Sequence, residues 1–182
     1  PDVPDVPDVP NPPATGEDFV LTTELKAGDE VIIVCAAKNM ALSANYPNGS
    51  YYNEGIAVTP VDGKISKPDA AIVWTVGEDG EFYTFSFDGK KLGMGTEFTS
   101  MSLGGVNDKW QVSAAETEGA FYIANLDRDP AKAYYMQWYE AKSYWSGYHT
   151  ITEEFFAMNF YVKGAEGSDT PDVPDVPDVP EV

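Results

Sequence analysis

Apolar and polar positions alternate in short runs through the middle of the chain. The runs are rich in Val, Ile, Phe, Tyr, Thr and Trp, with Gly, Asp and Asn between them. Alternation of period two bounded by such turn residues predicts half-buried β-strands. No stretch sustains a helical period. Ala114–Gly119 comes nearest and is the size of a loop.

The strands recur as three units. Each opens on an apolar strand: Val31–Val34, Tyr83–Phe87 and Phe121–Ala124. A short second strand follows, at Ala41–Ala44, Lys91–Met94 and Tyr135–Trp138. Looser third strands fall at Ala57–Val61, Thr99–Leu103 and Tyr144–Tyr148. Each unit closes on a large aromatic two residues before Val: Trp74-Thr75-Val76, Trp110-Gln111-Val112 and Phe160-Tyr161-Val162. Trp74, Trp110 and Phe160 are therefore expected in the core, as are Leu42, Leu92 and Met136 at matching places in the second strands. Side chains alternate along a strand, so Ala44, Met94 and Trp138 share the core side at its rim.

Unit three departs from the other two. Tyr134, Tyr135, Trp138, Tyr139, Tyr144, Trp145 and Tyr148 place seven aromatics within fifteen residues. Ala44 and Met94 give way to Trp138, Asn45 and Gly95 to Tyr139, and Met101 to Trp145. A core of constant volume has no need of an added Trp in one unit alone. Trp138, Tyr139, Tyr144, Trp145 and Tyr148 are expected on a surface groove, with Gln137 and Lys142 as polar partners. The alternative is a packed aromatic cluster that caps one end of a barrel. Unit one carries its own insertion, Asn45–Gly55, polar and turn-rich. Its Tyr46, Tyr51 and Tyr52 are expected to form a second site or the far wall of the same groove, and Asn45, Asn48 and Asn53 could supply amides.

Three units of four strands ending in aromatic-x-Val resemble the β-trefoil fold. The Trp110-Gln111-Val112 closure is similar to those of ricin-B-type lectins and of carbohydrate-binding modules built on that fold. The resemblance runs from Phe19 to Lys163. It implies an all-β fold and binding of sugar. The chain ends add a second resemblance. Residues 1–10 and 171–180 are the same run of Pro-Asp-Val repeats. Proline holds its neighbours extended, so residues 1–13 and 168–182 read as acidic spacers around a module at 14–167. Acidic proline-rich linkers around a Tyr- and Trp-rich β module look like the cell-surface polysaccharide-capture proteins of Gram-positive gut bacteria, some of which hold starch. That resemblance implies a secreted or cell-surface bacterial location; the matching spacers imply neighbouring domains in the same chain, and a monomer is expected.

Charge narrows the ligand. The net charge is −19, and the two Pro-Asp-Val runs with Glu181 hold seven of the 30 acidic groups and none of the 11 basic ones. No basic stripe exists to follow a phosphate backbone or an anionic membrane. Nucleic acid and membrane insertion are excluded, and neutral ligands or cations remain. The C–H face of a neutral sugar can lie on an aromatic ring while its hydroxyls meet amides and carboxylates beside it.

Catalysis finds little support. The one histidine, His149, has no nucleophile motif near it, and the one cysteine, Cys35, lies in an apolar strand. Asn125-x-Asp127-x-Asp129 begins like a calcium loop, but Pro130 and Met136 stand where that loop needs Gly and Glu; a structural turn is expected. The sequence therefore reads as a non-catalytic module without a cofactor. It captures a neutral polysaccharide, starch-type α-glucan first among the candidates. A protein- or glycoprotein-binding adhesion module and a purely structural spacer are the alternatives.

Overall fold

The computed structural model describes residues 18–46 and 51–163. Both acidic spacers and Asn48 lie outside the described residues. The first unit contains β2 (Glu30–Cys35), β3 (Met40–Leu42), β4 (Gly55–Ala57) and β6 (Trp74–Asp79). The second contains β7 (Phe82–Phe87), β8 (Lys90–Met94), β9 (Met101–Leu103) and β10 (Trp110–Ala114). The third contains β11 (Phe121–Asn125), β12 (Tyr134–Tyr139), β13 (Tyr144–Tyr148) and β14 (Met158–Lys163). All three four-strand units expected from the sequence are present. The third strand of unit one falls earlier than expected, before Pro60, which has no N–H to give to a ladder.

First and last strands of the units pair antiparallel in a closed ring: β2 with β6, β6 with β7, β7 with β10, β10 with β11, β11 with β14, and β14 with β2. Closure leaves this barrel without an open edge. The second and third strands form three hairpins, β3–β4, β8–β9 and β12–β13, which stand on the barrel. The main core runs through the ring into these hairpins and includes Trp74, Trp110, Phe160, Leu42, Leu92 and Met136. Trp74 Nε1–H donates to Leu42 O at 3.0 Å, and Trp110 Nε1–H repeats the bond to Leu92 O at 2.9 Å. Each closing Trp thus satisfies its buried N–H on the second strand of its own unit. Phe160 needs no such partner and stacks on Phe121, with centroids 5.4 Å apart.

Two strands lie outside the repeat, β1 (Asp18–Thr22) and β5 (Lys64–Ser66). They pair with each other, and β1 also pairs with β14. With a short 3-10 turn at Ala70–Ile72 they cover a second, smaller core of Phe19, Ile32, Val34, Ala41, Ile65, Ile72 and Tyr161. This explains the unbroken apolar run in β2. Val31, Ile33 and Cys35 face the main core, while Ile32 and Val34 face the smaller one. Cys35 is fully buried, and desolvation pushes its thiol up to about 11.

The expectation that Trp138 and Trp145 lie on the surface is overturned. Trp145 is 0% exposed and Trp138 4%, and both belong to the main core. Their rings meet at 5.9 Å, tilted by 57°. Trp145 Nε1–H donates to Ala41 O at 3.2 Å, and Trp138 Nε1–H to Glu140 Oε1 at 3.0 Å. Space left in one unit is filled by a side chain from another. Unit one leaves room at Gly55, and the Trp138 ring fills it so closely that a Cβ on Gly55 would collide with that ring. Gly147 makes the same kind of room for the Met94 side chain.

Trp138→Ala should therefore destabilise the fold by about 3–5 kcal/mol. Gly55→Ala, by overfilling the same contact, should cost about 1–3 kcal/mol. Chemical denaturation of the two variants checks both values; a surface ring at position 138 would leave the midpoint of Trp138→Ala near that of the parent.

Candidate functional site

With Trp138 and Trp145 turned inward, alternation sends their neighbours outward. The register of β12 with β13 pairs Tyr139 with Tyr144, Gln137 with Ser146, and Tyr135 with Tyr148. This outer face borders a cleft of about 800 Å³. A one-turn helix, α1 (Glu153–Phe156), supplies Phe155 and Phe156 to its lining, and the loop before β9 supplies Thr99. Thr150, Thr152, Glu140 and Ala141 also line it.

The floor is polar. Gln137 and Ser146 are buried beneath the cleft, and Gln137 Nε2 donates to Ser146 Oγ at 3.0 Å. The walls are aromatic. Tyr144 stacks on Tyr52, with centroids 3.9 Å apart and planes 8° apart, and Tyr139 meets Tyr144 edge-on at 5.7 Å. Burial pushes the Tyr144 phenol up from its ordinary range, and the Tyr52 phenol beside it adds to the shift. At the other end Tyr148, 45% exposed, stacks on His149 at 4.4 Å. His149 is an exposed ring partner of Tyr148 and Tyr134.

Among the residues singled out from sequence, Gln137, Tyr139, Tyr144 and Tyr148 line this cleft. Lys142 sits exposed in the turn between β12 and β13 and does not line it. The unit-one insertion meets unit three through the Tyr52–Tyr144 stack and through Trp145 N–H donating to Asn53 O at 2.9 Å. Tyr52 thus backs the wall of the groove, while Tyr51 stands apart at 80% exposed. Tyr46 is half-buried and donates to Met101 O at 2.9 Å, a structural contact. Phe155, Phe156, Glu140 and the threonines were not foreseen. A single helical turn is too short to show a helical period, so the sequence offered no signal for the two phenylalanines.

Glu140 is the one carboxylate lining the cleft among the described residues. One of its oxygens accepts the Trp138 indole and the other lies 3.7 Å from Lys38 Nζ, which sits closer still to Glu154, at 2.8 Å. Away from the cleft, Asn125 Oδ1 accepts from Arg128 N–H at 2.9 Å, Nδ2 donates to Asn107 O at 2.7 Å, and Asp129 Oδ1 accepts from Ala131 N–H at 3.0 Å. The 125–131 segment is thus held as a turn. Among the described residues no group of His, Cys, Asp or Glu could hold a metal ion, and no helix is long and apolar enough to cross a membrane.

Known structures share this fold. A ricin B-like lectin from Macrolepiota procera, solved in complex with lactose, superposes with a TM-score of 0.57 at 16% identity, covering 75% of this chain and 97% of the lectin. ThreeFoil, a designed 3-fold symmetric protein, superposes with a TM-score of 0.53 at 12% identity, covering 72% of this chain and 97% of the design. The chain adopts a β-trefoil fold. A GlcNAcα1-4Gal-releasing endo-β-galactosidase from Clostridium perfringens also contains it, with a TM-score of 0.58 at 9% identity over 75% of this chain and 32% of that enzyme. No protein-family model matches the sequence, and none of the curated proteins matches it. At these identities the trefoil likeness is one of fold.

The helix that walls the cleft is tied to the trefoil by the Lys38–Glu154 ion pair and by the Glu153 carboxylate. Glu153 accepts hydrogen bonds from the Tyr122 hydroxyl, from Thr117 N–H at 2.6 Å and from Glu116 N–H at 3.3 Å. Desolvation raises the Glu153 carboxyl, but the bonds from Thr117 and Tyr122 outweigh it and hold the group below its ordinary value. The hydrogen bond to Glu153 pushes the Tyr122 phenol up to about 12. A depressed carboxyl adds stability above its unfolded pKa and loses it as pH falls through the folded value. Glu153→Gln should accordingly be less stable than the parent at neutral pH. The gap should close on acidification below the ordinary glutamate range, and thermal midpoints measured across pH check this.

Proposed function

We propose that this module binds a neutral carbohydrate, without catalysis, in the cleft beside the β12–β13 hairpin. One observation carries the reading: tyrosine rings at both ends of the cleft with a buried Gln–Ser pair beneath it. Sugar C–H faces can cover the rings, and hydroxyls can meet Gln137, Glu140 and the threonines. The lactose-bound trefoil lectin supports the same chemistry. A glycosidase needs two placed carboxylates, and among the described residues Glu140 is the one carboxylate in the lining.

One site per module is expected. Where unit three has Tyr139 and Tyr144, unit one has Asn45 and Tyr52, and unit two has Gly95 and Ser100. Where unit three has Tyr135 and Tyr148, the others have Ala41 with Ile56 and Lys91 with Gly104. Starch-type α-glucan is the first polymer to test. The angled aromatic pair that a helical glucan would curve around is Tyr139 with Tyr144, whose planes stand 72° apart. The buried Trp138 and Trp145 act as structural supports. The acidic Pro-Asp-Val spacers fit a module strung between neighbouring domains of an extracellular bacterial protein, where repeated weak sites gain strength through avidity.

Pull-down on insoluble starch, cellulose, xylan and mucin tests the reading. The parent should bind one polymer, and Tyr139→Ala and Tyr148→Ala should each weaken that binding about tenfold with unchanged thermal midpoints. Retention of full affinity by both folded variants would remove the cleft as the site.

A further inference from the structure

We infer that the cleft engages at least three consecutive units of a linear glycan, the outer two on separate aromatic stations and the middle one over the polar rung between them. The inference rests on the carbohydrate reading and adds the length of chain that the site measures.

The stations follow from the register. Tyr139–Tyr144 and Tyr135–Tyr148 are the outward rungs at the two ends of the hairpin, and Gln137–Ser146 lies midway. Tyr144 and Tyr148 are four residues apart on β13, a rise of about 13 Å along an extended strand. That is longer than one sugar ring, so a single unit cannot cover both.

Each station is braced before a ligand arrives. Tyr144 rests flat on Tyr52 and is met edge-on by Tyr139. Tyr148 rests on His149, which stands edge-on to Tyr134 at 5.8 Å. The Arg128 guanidinium covers Tyr134 at 4.0 Å and is itself fixed by bonds to Phe98 O at 2.7 Å and Thr96 O at 2.9 Å. Rings ordered in advance lower the cost of fixing side chains on binding. Between the stations, Gln137 gives its amide N–H to Ser146, and its carbonyl oxygen has no hydrogen bond among the described residues. The rung therefore offers an acceptor to a hydroxyl of the middle sugar. Such a layout makes length, rather than a chain end, the recognised feature.

Calorimetric titration of the whole protein with linear maltose-type, cellulose-type and xylan-type oligosaccharides, from monosaccharide to hexasaccharide, tests this. Affinity in the series that binds should climb roughly tenfold or more between the monosaccharide and the trisaccharide and then level off. Tyr148→Ala and Tyr139→Ala should each remove most of that climb while leaving the thermal midpoint in place. A monosaccharide that binds as tightly as the trisaccharide would overturn the two-station layout and leave the carbohydrate reading standing. Retention of the full climb by both variants would overturn the layout in the same way. Failure of the parent to bind any series overturns both readings together.

Discussion

The inward packing of Trp138 and Trp145 decides what the third hairpin can present. A strand has two faces, and anchoring one face in the core assigns the other to solvent. Trp145 is locked by full burial and by its bond to Ala41 O. Trp138 is locked by the space above Gly55. With those rings fixed, Gln137, Tyr139, Tyr144, Ser146 and Tyr148 have only the cleft side left. A slip of one residue in the β12–β13 register would exchange the buried and displayed sets, and the two indoles fix the register against it.

That anchoring depends on unit one being unlike unit three. Ala44 is small where its counterparts are Met94 and Trp138, while Gly55 is small where unit two has Leu103 and unit three again has a glycine, Gly147. The pseudo-symmetry of the trefoil sets the places, and the deviations from it distribute the volume. Asn53 stands where Met101 and Trp145 stand in the other units, and it bridges directly to Trp145. Tyr52 stands where Tyr144 does, and the two stack. The contact between units one and three is therefore made of equivalent residues meeting each other, which is how an insertion in one unit comes to brace a cleft in another.

Much of this was legible from the sequence. The three units, the closing Trp74 and Trp110, and the core positions Leu42, Leu92 and Met136 follow from period-two patterning and self-comparison, because those signals are local. The aromatic part of the cleft on the β12–β13 hairpin was legible too, since Tyr139, Tyr144 and Tyr148 stand out by count alone. The direction of Trp138 and Trp145 was not. It depends on the space at Gly55 and the carbonyl of Ala41, more than eighty residues away in the chain, and a comparison that treats each unit as its own core cannot see them. The strand β5 was missed because three residues are too few to show alternation, and its presence explains the one apolar run, Val31–Cys35, that alternation does not.

Electrostatics completes the selection of ligand. In so acidic a chain, a cleft with free carboxylates would draw cations before sugars. Glu140 is instead engaged on both oxygens, by the Trp138 indole and by Lys38, whose own ammonium is shared with Glu154. The Trp138 ring thus contributes twice, through the volume that it fills and through the N–H that holds the only lining carboxylate among the described residues. Beside that paired carboxylate, the cleft offers apolar ring surface and uncharged hydrogen-bonding groups. Contacts of that kind are weakly screened by salt, so a ligand held by them is recognised by shape and hydroxyl pattern. The net charge of −19 on the chain repels anionic polymers without weakening the hold on a neutral one.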